Sequence, residues 1–218
     1  MNKIAEQSKY KPRIIDKTVA KYLSAFGAVC IEGPKWCGKT WTSSHHSNSE
    51  FLIGDPANNF QNRKLAEMSP SLVLEGETPR LLDEWQEVPP IWDAVRYTVD
   101  RRAEKGQFIL TGSSTPKRKG VLHSGAGRIG KLRMRTMSLY ESGESSGAVS
   151  LEDLCNGKLT PTLTGEVDLR DLANYTVRGG WPGNLNVAQE DASLLPQSYL
   201  DAILDDDSQR IDDKKYDV

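Results

Sequence analysis

An apolar run, AVCIE at residues 28–32, leads straight into GPKWCGKT at residues 33–40, and this junction constrains the fold more than anything else in the chain. The eight residues fit the spacing G-x-x-x-x-G-K-[ST], a loop whose amides can curl around a phosphate group when a strand precedes it and a helix follows. A working loop also needs a metal-binding acid further along. Without that acid, the same letters describe only a glycine-containing turn.

The rest of the chain supplies the setting. DKTVAKYLSAF reads as an amphipathic helix, with Asp16 as its cap and Val19, Tyr22, Leu23 and Phe26 on one face. The predicted helix after the loop opens at Lys39. EFLIGD, PRLLDEW and GQFILTGSS read as strands, with helical spacing in NNFQNRKLAEM and PPIWDAVRYTVDRRAEKG between them. GKLRMRTMSLYE alternates like one further strand with a polar face. Strands alternating with helices predict an α/β fold: a parallel sheet flanked by helices, in a domain over residues 1–140. ESGESSGAVS (141–150) reads as a linker, and residues 151–218 as a mostly helical segment, the start of a C-terminal domain cut short. The charged ending LDDDSQRIDDKKYDV has little to bury, so the chain is expected to be the N-terminal piece of a larger protein.

With 218 residues, 37% hydrophobic and 27% charged, the chain can bury a sizeable core. No apolar run approaches the roughly 18 residues that span a bilayer. Cys30, Cys37 and Cys155 make no paired framework, and a cytoplasmic location is expected. Residues 140–218 hold six Lys/Arg against sixteen Asp/Glu, a balance of −10 that leaves +8 for residues 1–139. Residues 101–135 carry ten basic side chains and one acid, a patch that suits nucleic-acid phosphates or plain solvent equally well.

The chemistry concentrates at three strand ends. In the loop, Gly33 and Gly38 free the backbone, Lys39 reaches the β- and γ-phosphates, and the Thr40 hydroxyl can ligate Mg²⁺. Pro34, Lys35, Trp36, Cys37 and Trp41 complete the expected nucleotide-binding stretch. Trp36 and Trp41 read as packing groups and Cys37 as a passive small residue. Asp83 and Glu84 close the apolar strand of PRLLDEW, at the same sheet edge as the loop. Asp83 is expected to hold Mg²⁺ through water, and Glu84 to activate the attacking water. FILTGSS offers Thr111, Ser113 and Ser114 as sensors of the γ-phosphate, with Ser113 preferred. Arg128, in the glycine-rich SGAGRIGK, reads as an arginine finger or as a surface arginine. His45 and His46 are neighbours in sequence and poor partners for a shared metal ion.

These stretches together resemble a family of prokaryotic predicted ATPases of the AAA+ superfamily. YKPRIIDKTVAKYL, VCIEGPKWCGKTWT, PRLLDEWQEVPPIWDAVRYTVD, GQFILTGSSTP, GAGRIGKLRMRTMSLYES and RGGWP occur in the family's order. The resemblance implies an AAA+-like P-loop core, ATP and Mg²⁺ as ligands, and nucleotide hydrolysis, with ADP as product. It assigns Lys39 and Thr40 to the phosphate loop, Asp83 and Glu84 to the second acidic motif, and Ser113 to the sensor position. It also implies that Pro12 to Asp16 packs near the adenine. Such proteins continue past a segment like Tyr199 to Asp212 into a helical and winged-helix-like C-terminal region, where homo-oligomer contacts and a nucleic-acid-binding module are expected. Two other readings stay open at this level: a nucleotide-controlled, DNA-associated regulator with little turnover, and a small-molecule phosphotransferase.

Overall fold

The computed structural model describes residues 10–113, 121–158, 161 and 166–204; the side chain of Ser113 lies outside the description, as do Ser114 and the chain after 204. The chain divides into two compact units, Met1–Arg135 and Thr136–Val218.

The first unit is α/β. Its five strands are β1 (Ala28–Gly33), β2 (Ser49–Leu52), β3 (Arg80–Asp83), β4 (Phe108–Ser113) and β5 (Ile129–Arg133), all parallel and ordered β2-β3-β4-β1-β5. The central strands are apolar on both faces because helices cover both. Val29, Ile31, Leu81 and Ile109 pack with Val19 of helix α1 (Asp16–Ala25). Ala28, Cys30, Leu82 and Leu110 pack on the other face with Ile91, Trp92, Val95 and Val99 of α4 (Pro90–Arg102). Helix α2 (Lys39–His45) follows the loop after β1, and α3 (Ala57–Met68) follows β2.

Local readings needed correction at two places. Asp16 does not cap α1 from outside: it is the first helical residue, and its carboxylate accepts from the Arg13 amide, the Tyr10 hydroxyl and His46 Nε2. The expected strand GKLRMRTMSLYE ends at Arg133; its tail becomes a short helix, α5 (Leu139–Ser142). A capping box decides that outcome, since Ser138 Oγ accepts from the Glu141 amide while Glu141 accepts from the Ser138 amide.

The second unit also holds α6 (Leu151–Cys155), α7 (Leu169–Arg178) and α8 (Leu194–Ala202). Its RGGWPGN turn is organised by fully buried Asn184, whose amide donates to the Arg178 and Ala192 carbonyls. Arg178 in turn pairs with Glu144 at 2.7 Å. Among the described residues no helix is long and apolar enough to cross a membrane.

Candidate functional site

Parallel strands put all their C-terminal ends on one edge, so the loop after β1, the acids after β3 and the end of β4 share that edge. Since β4 lies between β1 and β3, the loop and the acids stand two strand spacings apart, roughly 10 Å. Helix α2 closes this gap from above.

The loop is wound tightly. Gly38 takes φ 100°, a conformation that favours glycine, and Trp36 also sits in the left-handed region at φ 62°. Lys39 is only 6% exposed and folds back over the loop, its Nζ donating to the Gly33 and Pro34 carbonyls at 3.0 and 2.9 Å. That ammonium is thus held at the mouth of the loop. Cys37 is fully buried, and burial pushes its thiol above the ordinary value, which suits a passive packing role. Trp36 and Trp41 are not packing groups: they are 55% and 39% exposed, on the outside of the loop and of α2.

The acids meet this loop directly. Thr40 Oγ1 donates to Asp83 Oδ1 at 2.9 Å, and Thr111 Oγ1 of β4 donates to the same oxygen. The Glu84 amide donates to Thr111 Oγ1 at 3.2 Å, so one threonine hydroxyl bridges both acids. Burial raises the Asp83 pKa above its usual range, against the hydrogen bonds from Thr111 and Thr40 and the charge of Lys39. Burial raises Glu84 as well; the Gln86 amide, donating to its carboxylate, opposes the rise and the Asp83 charge adds to it. Glu84 occupies the left-handed region at φ 57°, a strained setting for a residue with a side chain. Behind it, the indole N–H of Trp85 and Oε1 of Gln86 are buried without hydrogen-bond partners. Both crowd Gly112, where an added Cβ would lie 2.6 Å from Gln86 Oε1.

Lys39, Thr40, Asp83 and Glu84 are thereby gathered at one edge, and Thr111 is the hydroxyl of β4 that touches the acids. Ser113 pairs with Gly33 in the ladder, though its side chain is outside the described residues. Arg128 lies elsewhere. It precedes β5 at the opposite edge, its carbonyl accepting from the Ala28 amide, and its guanidinium pairs with Asp100 at 2.8 Å. Five residues of strand, about 16 Å, separate that edge from Gly33.

Two residues at the site were given no role of their own by the sequence reading, although both lie in stretches that carry the family resemblance. Gln86 holds Glu84, as described. Arg13 is 8% exposed and donates to the Cys37 carbonyl from Nη1 at 2.8 Å. Neither belongs to a spacing pattern, and their partners are visible only in three dimensions. His45 lies under the Tyr10 ring at 4.1 Å, and His46 pairs with Asp16 at 3.1 Å.

Comparison with known proteins agrees with this geometry. A family model described as an AAA domain matches residues 25–143. An uncharacterized protein of Mycobacterium bovis and another of Mycobacterium tuberculosis are each 29% identical to the chain over 121 residues. The match covers 54% of this chain and 27% of each relative, so the chain spans about a quarter of the length of these curated relatives. The matched family span covers more than half of the 218 residues and takes in the loop, both acids and all five strands, and the chain belongs to the AAA domain family.

Proposed function

We propose that the first unit binds ATP with Mg²⁺ and hydrolyses it, in a larger protein that uses the resulting conformational change. The observation that carries this reading is the Thr40–Asp83 contact: a loop hydroxyl and a strand-end carboxylate 2.9 Å apart, beside a buried lysine. A hydroxyl and a carboxylate are hard oxygen donors, and the pair fits Mg²⁺ held mainly by phosphates and water. Thr40 and Asp83 would hold Mg²⁺, which when bound would supply neutralisation of the phosphate charge.

The chain's own groups do the rest. Lys39 leaves its two carbonyl acceptors for the β- and γ-phosphates. Glu84 accepts a proton from water as the water oxygen attacks the γ-phosphorus and the bond to the bridging oxygen of ADP breaks. Burial makes Glu84 a stronger base than a free glutamate, which suits that task. Ser113, at the end of the strand between loop and acids, senses the γ-phosphate. Arg128, far from its own loop, serves a neighbouring copy in trans. Phosphate release measured with Mg·ATP tests the reading, run alone, with DNA and with a metabolite panel. Release that needs Mg²⁺ and Glu84 but no acceptor supports it. Transfer to a metabolite, or binding without turnover at any protein concentration, would replace it with one of the other two readings.

A further inference from the structure

Arg13 lies outside the span matched by the AAA domain family, yet it reaches into the phosphate loop. Its guanidinium is nearly buried and forks between two backbone carbonyls, Cys37 O at 2.8 Å and Arg135 O at 2.9 Å. The first belongs to the loop. The second is the last carbonyl of the first unit, where the chain leaves the sheet after β5.

The bond to Cys37 has a defined geometric effect. In a planar trans peptide the C=O and the following N–H point in opposite directions. Holding the Cys37 carbonyl toward Arg13 therefore fixes the Gly38 N–H pointing away from it. Gly38 is the loop residue with the least conformational restraint of its own, at φ 100°. Without a clamp, this peptide would rotate at small cost, and each phosphate-binding event would have to order it again.

The bond to Arg135 carries the restraint onward. The exit segment already leans on the loop's base: the Met134 amide donates to the Glu32 carbonyl at 2.8 Å, and a Cβ on Gly33 would stand 2.5 Å from the Met134 carbonyl oxygen. Arg13 itself is anchored from the other side. Its amide donates to Asp16, which also accepts from Tyr10 and from His46 of the segment just after α2.

We infer that Arg13 is a positioning residue that presets the Cys37–Gly38 peptide for phosphate and ties that peptide to the chain's exit toward the second unit. The preset part rests on the nucleotide-binding reading above; the tie does not. A guanidinium is suited to this because its planar fork reaches two acceptors at once, which a lysine ammonium on its flexible stem does not do with the same geometry. Cradle and exit then move as one body, so a change at the phosphates is felt where the second unit begins.

The test uses the 218-residue protein with Arg13→Lys and Arg13→Met, each checked for a wild-type melting profile. Hydrogen exchange without nucleotide is followed in peptides covering residues 33–41 and 132–138, beside titration with a fluorescent ATP analogue. Both variants are expected to exchange faster in both peptides and to bind the analogue about tenfold more weakly. Arg13→Lys separates fork from charge and is the milder change should Arg13→Met fail to fold. Wild-type exchange in Arg13→Lys would overturn the inference, and so would loosening of the loop with the exit unchanged. Should Lys39→Ala bind the analogue as wild type does, the nucleotide reading falls, while the exchange data still decide the tie.

Discussion

Thr40 and Asp83 are 43 residues apart in sequence and 2.9 Å apart in space, the hydroxyl of one donating to the carboxylate of the other. This bond joins the helix after the phosphate loop to the end of a strand that is not the loop strand's neighbour. In the free protein the two groups satisfy each other. In the proposed reading, these are the two residues that would hold a metal ion brought by a nucleotide.

Lys39→Ala should lower affinity for an ATP analogue by roughly ten- to hundredfold, the weight of a charge-assisted phosphate contact. The lysine also bonds two loop carbonyls, so a modest drop in the melting temperature of the free protein should accompany it. Fluorescence titration and a thermal melt on the same sample give both numbers. Unchanged affinity would make the loop a structural turn.

The two acids should separate cleanly. Glu84→Gln keeps nucleotide binding and cuts hydrolysis by about 10²-fold or more. Asp83→Asn instead weakens Mg²⁺-dependent binding. Because Asp83 is a buried carboxylate, this variant should also melt a few degrees higher than wild type when no ligand is present. Equal loss of binding in both variants would contradict this division of roles.

Acid pH should tell the same story in two ways. Burial lifts both carboxylates above their ordinary values of 3.8 and 4.5. Between those values and the raised native ones, the folded protein binds more protons than the unfolded chain. Their contribution to stability therefore falls as the pH rises through that window, and Asp83→Asn should flatten the dependence. The acid limb of hydrolysis should have its midpoint above the pH where a free glutamate titrates, and Glu84→Gln should abolish that limb.

Arg128 should matter only between molecules. Its pairing with Asp100, at the sheet edge opposite the loop, removes it from its own nucleotide. Specific activity should rise with protein concentration, and Arg128→Ala should abolish the rise with little effect on affinity, a finger in trans being worth about 10³–10⁵ in rate. Mixing Arg128→Ala with Lys39→Ala subunits should restore part of the activity. A co-assembled mixture as inactive as its components would exclude the finger.

Much of the core was legible because covalent spacing dictates it. The apolar run before Gly33 has to be a strand for the loop to work, and Asp83 and Glu84 follow two leucines that only a buried strand explains. Less was legible where the outcome depends on facing. Thr111 is singled out by its contact with Asp83, which follows from the register of β3 against β4. Trp36 and Trp41 looked like packing groups because large aromatics usually bury, but the wound loop leaves Trp36 more than half exposed and Trp41 lies on the outward side of α2. Arg13 lies in the Pro12–Asp16 stretch that the resemblance marked, but its bonds could not be read there: its acceptors are main-chain carbonyls 24 and 122 residues away.

The strand order has a consequence for how the protein is made. Among the described residues, β1 pairs with β4 and β5, and β3 pairs with β2 and β4. A chain growing from its N-terminus completes the loop, both acids and α4 before the strand that sits between them exists. Until Phe108–Ser113 has left the ribosome and slid into place, the loop and the acids have no common sheet to hold them side by side.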